Sequence, residues 1–512
     1  MKNTAALFDF SQKINYKNEL LAGFTVAMTM IPESLSFAIL AGLSPLTGLY
    51  AAFMMGLVTA VFGGRPGMVS GGAGATIVVL IALIKTHGVE YLLTTVVLAG
   101  IFQMLVGIFK WGKFVRLIPQ PVMYGFLNGL AVIIFMAQVE QFKIVNENGI
   151  SSWLQGTALY IMLGLTLLTI AIVYLFPKIT KVVPASLVAI IVVFGIAAGF
   201  GIHTKTVADI ASISGNLPHF HIPNLPFSLE TLQIIFPYAL VMAGVGLIES
   251  LLTLSMVDEI TNTKGNANKE SVAQGLANIT NGFFGGMGGC AMVAQTLVNL
   301  NAGSRARLSG IIASVTILII ILVGAPFIEK IPMAALVGVM MMVAISTFQW
   351  VSIRIVNKMP KSDIFVGITV ALITIILHNL ALAVLVGVVI SALVFAWDNA
   401  RRIRARKYTD ENGIKYYQIS GPLFFGSVTT FIDKFDPAND PDQVIVDFRE
   451  SRIVDMSAID ALDKLSKKYA ERNKELHLKH LSEDCRKMLK NAEAVIEVNV
   501  QDDPTYKVMP EK

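Results

Sequence analysis

The chain has 512 residues, of which 54% are hydrophobic and 15% charged, and its net charge at pH 7 is +5. Ordinary soluble domains carry roughly 25% charged residues, so this composition argues against a wholly soluble protein. The charge is also unevenly placed, because residues 399–512 contain 20 basic and 20 acidic side chains, whereas residues 1–398 contain 20 and 15. This step predicts that the first part of the chain lies in lipid and the last part in water.

Fourteen apolar segments are predicted to form the membrane domain, 18–398, after a short polar segment, 1–17. Their approximate bounds are 18–42, 46–62, 73–86, 92–110, 119–138, 157–177, 182–202, 231–258, 271–285, 291–300, 306–326, 332–349, 362–378 and 380–398. A bilayer core of about 30 Å requires roughly 20 residues of helix, so the third and tenth segments are too short to cross it. The N-terminus is too polar for a cleaved signal peptide, so the first segment is expected to remain as a span.

Basic residues are concentrated at connections on one side of this arrangement. They precede the first segment and follow the fourth, sixth, eighth, tenth, twelfth and fourteenth. The positive-inside rule therefore places these connections and both termini in the cytoplasm. We expect a multi-pass protein of the inner, or cytoplasmic, membrane.

Similar glycine-rich stretches precede the two short segments. Residues 62–76 read FGGRPGMVSGGAGAT, residues 284–296 read FGGMGGCAMVAQT, and the two begin 222 residues apart. This spacing predicts two halves, at about 18–202 and 231–398, of seven segments each. Because seven is odd, the second half enters the membrane from the opposite side. The predicted fold class is an α-helical polytopic membrane protein with 14 spans in a 7+7 inverted repeat.

Two short helices that start near the midplane from opposite sides would direct their N-termini at each other. Helix N-termini carry unpaired N–H groups and a partial positive charge, so the expected ligand between them is an anion. The alternative is that the glycines only permit close packing between helices. The predicted anion contacts are the backbone of Ala73, Gly74, Ala75, Thr76, Ala291, Met292 and Val293, with the side chains of Thr76 and Gln295.

Three longer motifs resemble the sulfate permease family, whose animal members form the solute carrier 26 group. They are IPESLSFAILAGLSPLTGLYAAF at 31–53, NKESVAQGLANITNGFFGG at 268–286 and TLVNLNAGSRARLSG at 296–310. The resemblance covers essentially the whole chain. It implies core and gate domains, a substrate held by the third and tenth helices, elevator-type movement and a homodimer.

Two acidic residues lie within predicted spans, where a charge is costly and therefore a functional candidate. Glu249 resembles the family acid that couples transport to a proton or to Na⁺, although a protonated structural role is the alternative. Ser250 and Thr253 follow it, and Thr253 lies on the same helix face. Glu33 follows Pro32, at which we expect the first helix to break. Glu33 either contributes to cation coupling or pairs with a neighbouring dipole.

Gln295 departs from the family pattern, because many relatives place an arginine at this position. A glutamine offers amide donors without positive charge. Together with Glu33 and Glu249, it disfavours a divalent anion that arrives without cations. We therefore expect a monovalent anion such as bicarbonate or chloride, or a divalent anion such as sulfate that is accompanied by cations.

After a predicted linker, 399–414, short strands alternate with amphipathic helices over 415–512, which indicates a small α/β domain. Predicted strands are 415–425, 443–448, 475–481 and 494–500, and predicted helices are 456–473 and 482–492. This pattern resembles a cytoplasmic STAS domain. Ser457 stands where antagonist proteins of that type carry a phosphorylated serine. The simpler interpretation is that Asp455 or Ser457 caps the helix.

The favoured function is a non-enzymatic secondary transporter of a small anion, of the bicarbonate or sulfate class, by H⁺ or Na⁺ symport. The alternatives are a passive channel or exchanger, a non-transporting sensor linked to STAS, and a nucleobase transporter of similar architecture. No cofactor is expected beyond Na⁺ as a coupling ion, no metal site, and no nucleic-acid partner. A regulatory protein could bind the STAS domain.

Overall fold

The computed structural model describes residues 15–112, 119–145, 151–180, 183–209, 217–226, 228–377, 380–492 and 499–501. It consists of two compact units, Met1–Val388 and Val389–Lys512. Apolar helices dominate the first unit, and the second contains a sheet with shorter helices. This division follows the change in charge density along the sequence.

The first unit is built from helices, with short strands between some of them. The helices are α1 (Tyr16–Leu40), α2 (Pro45–Phe62), α3 (Gly74–His87), α4 (Val89–Ile108), α5 (Gln120–Glu140), α6 (Thr157–Ile179), α7 (Ala185–Gly199), α8 (Leu229–Thr261), α9 (Ala267–Phe283), α10 (Val293–Asn301), α11 (Leu308–Val323), α12 (Ala325–Glu329), α13 (Met333–Thr347), α14 (Trp350–Arg354), α15 (Lys361–Leu377) and α16 (Leu380–Arg401), the last of which continues into the second unit. The strands are β1 (Ser70–Gly71), β2 (Lys143–Val145), β3 (Ser151–Trp153) and β4 (Cys290–Ala291).

A helix lies at each of the fourteen predicted segments, and the short helices α12 and α14 were not predicted. Within the described residues, seven helices are long and apolar enough to span a bilayer, and four more are apolar but shorter. The number of crossings therefore stays a prediction. At 1.5 Å per residue, the 14 residues of α3 and the 9 of α10 extend only about 21 and 14 Å. Both are too short to cross, as predicted.

The predicted break at Pro32 is wrong, because α1 continues as one helix from Tyr16 to Leu40. A proline in a helix removes one backbone donor, and neighbouring helices and hydroxyl groups can satisfy the carbonyls around it. The missing donor of Pro32 would have bonded the carbonyl of Met28, one turn earlier in α1, and the helix nevertheless continues.

The second unit contains a five-stranded sheet in the order β5-β6-β7-β8-β9. Its strands are β5 (Arg404–Thr409), β6 (Lys415–Ser420), β7 (Gln443–Glu450), β8 (Glu475–Lys479) and β9 (Asn499–Gln501), and its helices are α17 (Val428–Ile432), α18 (Met456–Ala470) and α19 (Glu483–Ala492). The β5–β6 pair is antiparallel and the other pairs are parallel. Alternation of parallel strands with helices gives the α/β domain that the sequence predicts.

The predicted linker, 399–414, is not simply a linker. Its residues 404–409 form β5, which pairs with β6 along its full length, and Ile403 is buried in the apolar core. The alternation rule missed β5 because five of its six side chains are exposed and three are charged, as is common at a sheet edge. In the predicted last strand, residues 499 and 500 belong to β9, and residues 494–498 lie outside the described part.

A buried carboxylate, Asp440, links the sheet to α18. It accepts hydrogen bonds from Lys415 Nζ at 2.5 Å, from Tyr417 at 2.7 Å and from Tyr469. Burial opposes its ionisation, but these hydrogen bonds outweigh burial and lower the pKa of Asp440. Burial and the same carboxylate raise the pKa of Tyr417 to about 12. The cluster therefore favours an ionised Asp440 between two protonated tyrosines.

Candidate functional site

The two glycine-rich stretches meet in the structure. Strand β1 pairs with β4 antiparallel, with Ser70 opposite Ala291 and Gly71 opposite Cys290. Each strand ends shortly before a short helix begins, so the crossing brings the starts of α3 and α10 together. This is the arrangement that an inverted repeat predicts.

Glycine is required at position 289, where β1 and β4 approach most closely. A Cβ added at Gly289 would lie 1.9 Å from the carbonyl oxygen of Gly71. At Gly71 an added Cβ would clash only with the ends of flexible side chains, Met30 Cε at 2.4 Å and Met292 Sδ at 2.9 Å, which can move aside more easily than backbone. Close packing at the crossing therefore depends on Gly289, and whether the crossing also serves an anion stays a prediction.

The two helix starts differ in their access to solvent. The start of α3, at 73–76, is buried, and a Cβ added at Gly74 would lie 2.3 Å from the ring of Phe37. At the start of α10, Val293 and Ala294 are exposed. Neither helix has a side-chain cap among the described residues. The start of α10 is therefore the more accessible of the two, and sequence analysis missed Ala294.

Two predicted anion contacts are unsuitable, because their N–H groups bind within the protein. The N–H of Ala291 donates to Ser250 Oγ at 3.1 Å, and that of Met292 donates to the carbonyl oxygen of Val69 at 2.9 Å. Both residues are buried. The N–H groups of Ala291 and Met292 therefore fix the crossing. The exposed residues Val293 and Ala294 follow them at the start of α10.

Two other predicted side chains also have partners inside the protein. The hydroxyl of Thr76 is buried and donates to the carbonyl oxygen of Ala73 at 2.9 Å. The amide of Gln295 donates to the carboxylate of Glu33 on α1. Glu33 is therefore paired with the dipole of Gln295, which was one of the two expectations, and this contact places it beside the start of α10.

Glu249 reaches the same place from α8. Its Oε2 accepts a hydrogen bond from the thiol of Cys290 at 3.0 Å. The hydroxyl of Thr253 donates to the backbone carbonyl of Glu249 at 2.7 Å, so its oxygen retains lone pairs. The hydroxyl of Ser250 is directed at β4 and not at Thr253, because its Oγ accepts the N–H of Ala291.

Both carboxylates are only partly buried, and both contact the segment 290–295. Among the described residues, neither forms an ion pair with a basic side chain. Like charges at close range disfavour one another, and a cation offsets them. The structure thus brings the start of α10 together with two carboxylates, from α1 and α8.

Amide side chains of α9 hold the crossing against α4, and sequence analysis missed their role. Asn278 donates to Gln103 Oε1 at 2.9 Å and accepts the N–H of Gly289 at 2.9 Å. Gln274 donates to Ser70 Oγ at 2.8 Å. The signal in the sequence is the spacing of these two amides, four residues apart on one helix face.

Charged residues fix the ends of the same elements. The ion pair between Arg65 and Asp258 measures 3.2 Å and joins the loop after α2 to the end of α8. Glu19 of α1 is buried and accepts three backbone N–H groups near the start of α11, from Arg305, Ala306 and Ser309, at 2.8, 3.0 and 2.9 Å. A carboxylate at a helix N-terminus is stabilising there.

In the second unit, Asp455 caps α18, and Ser457 does not. The Asp455 side chain accepts the N–H of Ala458 at 2.9 Å and that of Phe425 at 2.8 Å. This agrees with the simpler interpretation of the motif. Ser457 is exposed in the first turn of α18, and its phosphorylation stays a prediction.

Comparison with known proteins agrees with this architecture. The family model described as sulfate permease family matches residues 16–370, and the STAS domain model matches residues 406–505. "Putative sulfate transporter YbaR" of Bacillus subtilis (strain 168) is 41% identical over 93% of this chain and 97% of its own length. "Bicarbonate transporter BicA" of Picosynechococcus sp. is 28% identical over 94% of this chain and 92% of its own length.

Solved structures show the same fold. The transmembrane domain of a cyanobacterial bicarbonate transporter BicA covers 74% of this chain and 98% of that domain, with 29% identity and a TM-score of 0.63. The murine Slc26a9 anion transporter in its inward-facing state covers 94% of this chain and 88% of its own, with 19% identity and a TM-score of 0.81. The chain belongs to the sulfate permease family of membrane anion transporters and ends in a STAS domain.

Proposed function

We propose that this chain is a secondary active transporter that carries a small inorganic anion together with H⁺ or Na⁺. The observation that carries the proposal is the β1–β4 crossing, which brings the starts of α3 and α10 together and leaves that of α10 open. The anion binds the N–H groups of Val293, Ala294 and Gln295, where the helix partial charge is positive.

The coupling cation binds at Glu249, with Glu33 as the second carboxylate. An anion entering this site meets two carboxylates that lack basic partners among the described residues. Coulomb repulsion between unit charges about 4 Å apart costs about 4 kcal/mol at an effective dielectric constant of about 20. A proton or Na⁺ on Glu249 reduces this cost, so the anion binds more tightly after the cation and the two move together.

Bicarbonate and sulfate are the substrates to test first. BicA is named a bicarbonate transporter, and the more similar YbaR is named a sulfate transporter. Gln295 brings no positive charge to the site, and its amide is already bound by Glu33. This favours the monovalent anion, or sulfate accompanied by more than one cation.

Movement of the substrate is proposed to be elevator-like. The site is assembled from α8 and α10, with Glu33 of α1 and the buried start of α3 beside them, and amide contacts of Asn278 join the crossing to α4 and α9. Elements linked in this way move as one body against the rest of the membrane domain. A homodimer in the inner membrane, with both termini and the STAS domain in the cytoplasm, completes the proposal.

The test is uptake of radiolabelled bicarbonate and of sulfate into proteoliposomes under imposed Na⁺ or H⁺ gradients. Wild type is compared with Glu249→Gln and with Glu259→Gln, an exposed glutamate on the same helix α8. We expect accumulation against the anion gradient in wild type and Glu259→Gln, and its loss in Glu249→Gln. Uptake that ignores the cation gradients and the Glu249 substitution would instead establish a passive channel.

A further inference from the structure

We propose that Cys290 is a positioning residue that transmits occupancy of the cation site at Glu249 to the starts of both short helices. This inference rests on the symport proposed above. Cys290 touches the cation site rather than the anion, and neither its thiol nor its position was singled out by the sequence.

Two consecutive residues of β4 are attached to two consecutive residues of α8. The thiol of Cys290 donates to Glu249 Oε2 at 3.0 Å, and the N–H of Ala291 donates to Ser250 Oγ at 3.1 Å. Packing is close here as well, because a Cβ added at Gly246 of α8 would lie 3.6 Å from Cys290 Cβ. A change in the charge of Glu249 therefore acts directly on β4.

The register of the crossing carries this change to both helices. Cys290 is paired with Gly71. Gly71 lies two residues before Ala73, the N-cap of α3, and Cys290 lies two residues before Met292, the N-cap of α10. One cross-strand pair thus stands at the same distance from both helix starts, and displacement of Cys290 changes their separation.

The strength of the thiol hydrogen bond depends on the charge of its acceptor. Hydrogen bonds to an ionised carboxylate are stronger than those to a neutral group. When a cation occupies Glu249, the charge that Cys290 contacts is offset, and the thiol bond weakens. The converse follows from linkage: a thiol that stabilises the empty, ionised carboxylate lowers its affinity for the cation.

A spectroscopic experiment tests the contact itself. The chain has two cysteines, so Cys485→Ala leaves Cys290 as the single thiol. Its S–H stretching band, in an infrared region free of other protein bands, is recorded with and without the coupling cation. We expect the cation to shift the band to higher frequency, and we expect no response when Glu249→Gln is added. A band whose frequency does not change when the cation is added overturns the inference. So does a band that still shifts when Cys485→Ala is combined with Glu249→Gln.

A transport experiment tests the consequence in the full-length chain. Cys290→Ala should lower the cation concentration for half-maximal uptake by roughly 2- to 10-fold, the effect of one hydrogen bond. The KM for the anion at saturating cation should not change, and Cys290→Ser should restore the wild-type value. Equal shifts in the half-maximal cation concentration and in the anion KM would mean that Cys290 has only a packing role, and would refute a positioning role.

The two proposals fail in distinguishable ways. Wild-type uptake that is indifferent to Na⁺ and H⁺ gradients removes the symport, and this inference with it. Gradient-driven uptake with a wild-type cation dependence in Cys290→Ala removes only the role of Cys290. If Cys290→Ala does not fold, the infrared measurement on Cys485→Ala still decides the question.

Discussion

Replacing Gly289 by alanine tests whether the β1–β4 crossing sets the separation of the two helix starts. The added Cβ would lie 1.9 Å from the carbonyl oxygen of Gly71, 2.8 Å from its carbonyl carbon and 3.1 Å from Met55 Cγ. Real Cβ contacts essentially never fall below 3.0 Å, so the strands must separate by at least 1.1 Å, which is 3.0 minus 1.9. The obstacle is backbone, which cannot rotate away as a flexible side chain would.

The expected effect is on transport more than on folding. Overpacking of this kind costs about 1–3 kcal/mol when the surroundings absorb it. A displacement of about 1 Å in a site that depends on geometry can reduce a rate by about 100-fold. We therefore expect Gly289→Ala to insert into membranes and to lose about 10- to 100-fold of its uptake rate at low anion concentration.

The assay is initial anion uptake in proteoliposomes, normalised to the amount of monodisperse protein reconstituted. Gly244→Ala is the matched control, because it makes the same change on α8 where an added Cβ has no atom within 4 Å. It should keep wild-type uptake. Wild-type uptake by Gly289→Ala would refute the argument that the crossing positions the anion site.

Three further substitutions probe other contacts. Gln295→Arg places a positive charge beside Glu33 and the start of α10. The attraction between this charge and one additional unit of anion charge about 4 Å away is worth about 1 kcal/mol even in water. Sulfate should therefore inhibit bicarbonate uptake roughly fivefold more strongly in the variant than in wild type. Glu19→Ala leaves three backbone N–H groups near α11, that of Ser309 buried, without their acceptor and should lower stability by about 2–5 kcal/mol, measured by thermal unfolding in detergent. An unchanged melting temperature would contradict this. Asp440→Ala should destabilise the STAS sheet by about 2–5 kcal/mol. Because folding lowers the pKa of Asp440, its contribution to stability is present above about pH 4 and is lost as pH falls through the folded-state pKa. The greater protection of wild-type sheet amides from hydrogen exchange, relative to Asp440→Ala, should therefore shrink in acid.

Several features of the site followed from local sequence. The two glycine stretches predicted two short helices that begin near each other, and the β1–β4 crossing confirms that they do. Acidic residues within apolar segments indicated Glu33 and Glu249, and both reach the segment formed by β4 and the start of α10. These features could be located because helix length, glycine content and isolated charge can be measured along a single chain, and the binding roles of the two carboxylates stay a prediction.

Other features could not be predicted, because they depend on partners distant in sequence. The contact of Cys290 with Glu249 spans 41 residues, and that of Gln295 with Glu33 spans 262. No periodicity indicates which side chain a thiol or an amide will meet. The same limit explains the error at Ala291, whose N–H is used by Ser250.

The sequence by itself determined a helical membrane unit, two helices too short to cross, and a polar α/β domain at the end. Those features depend on hydrophobicity, segment length and charge, which are properties of the chain. Only the tertiary structure decided that the start of α3 is buried while that of α10 is open, and that each carboxylate has a partner within 290–295. The reason is that access and hydrogen bonding are set by how the helices pack, and packing joins residues that the sequence keeps far apart.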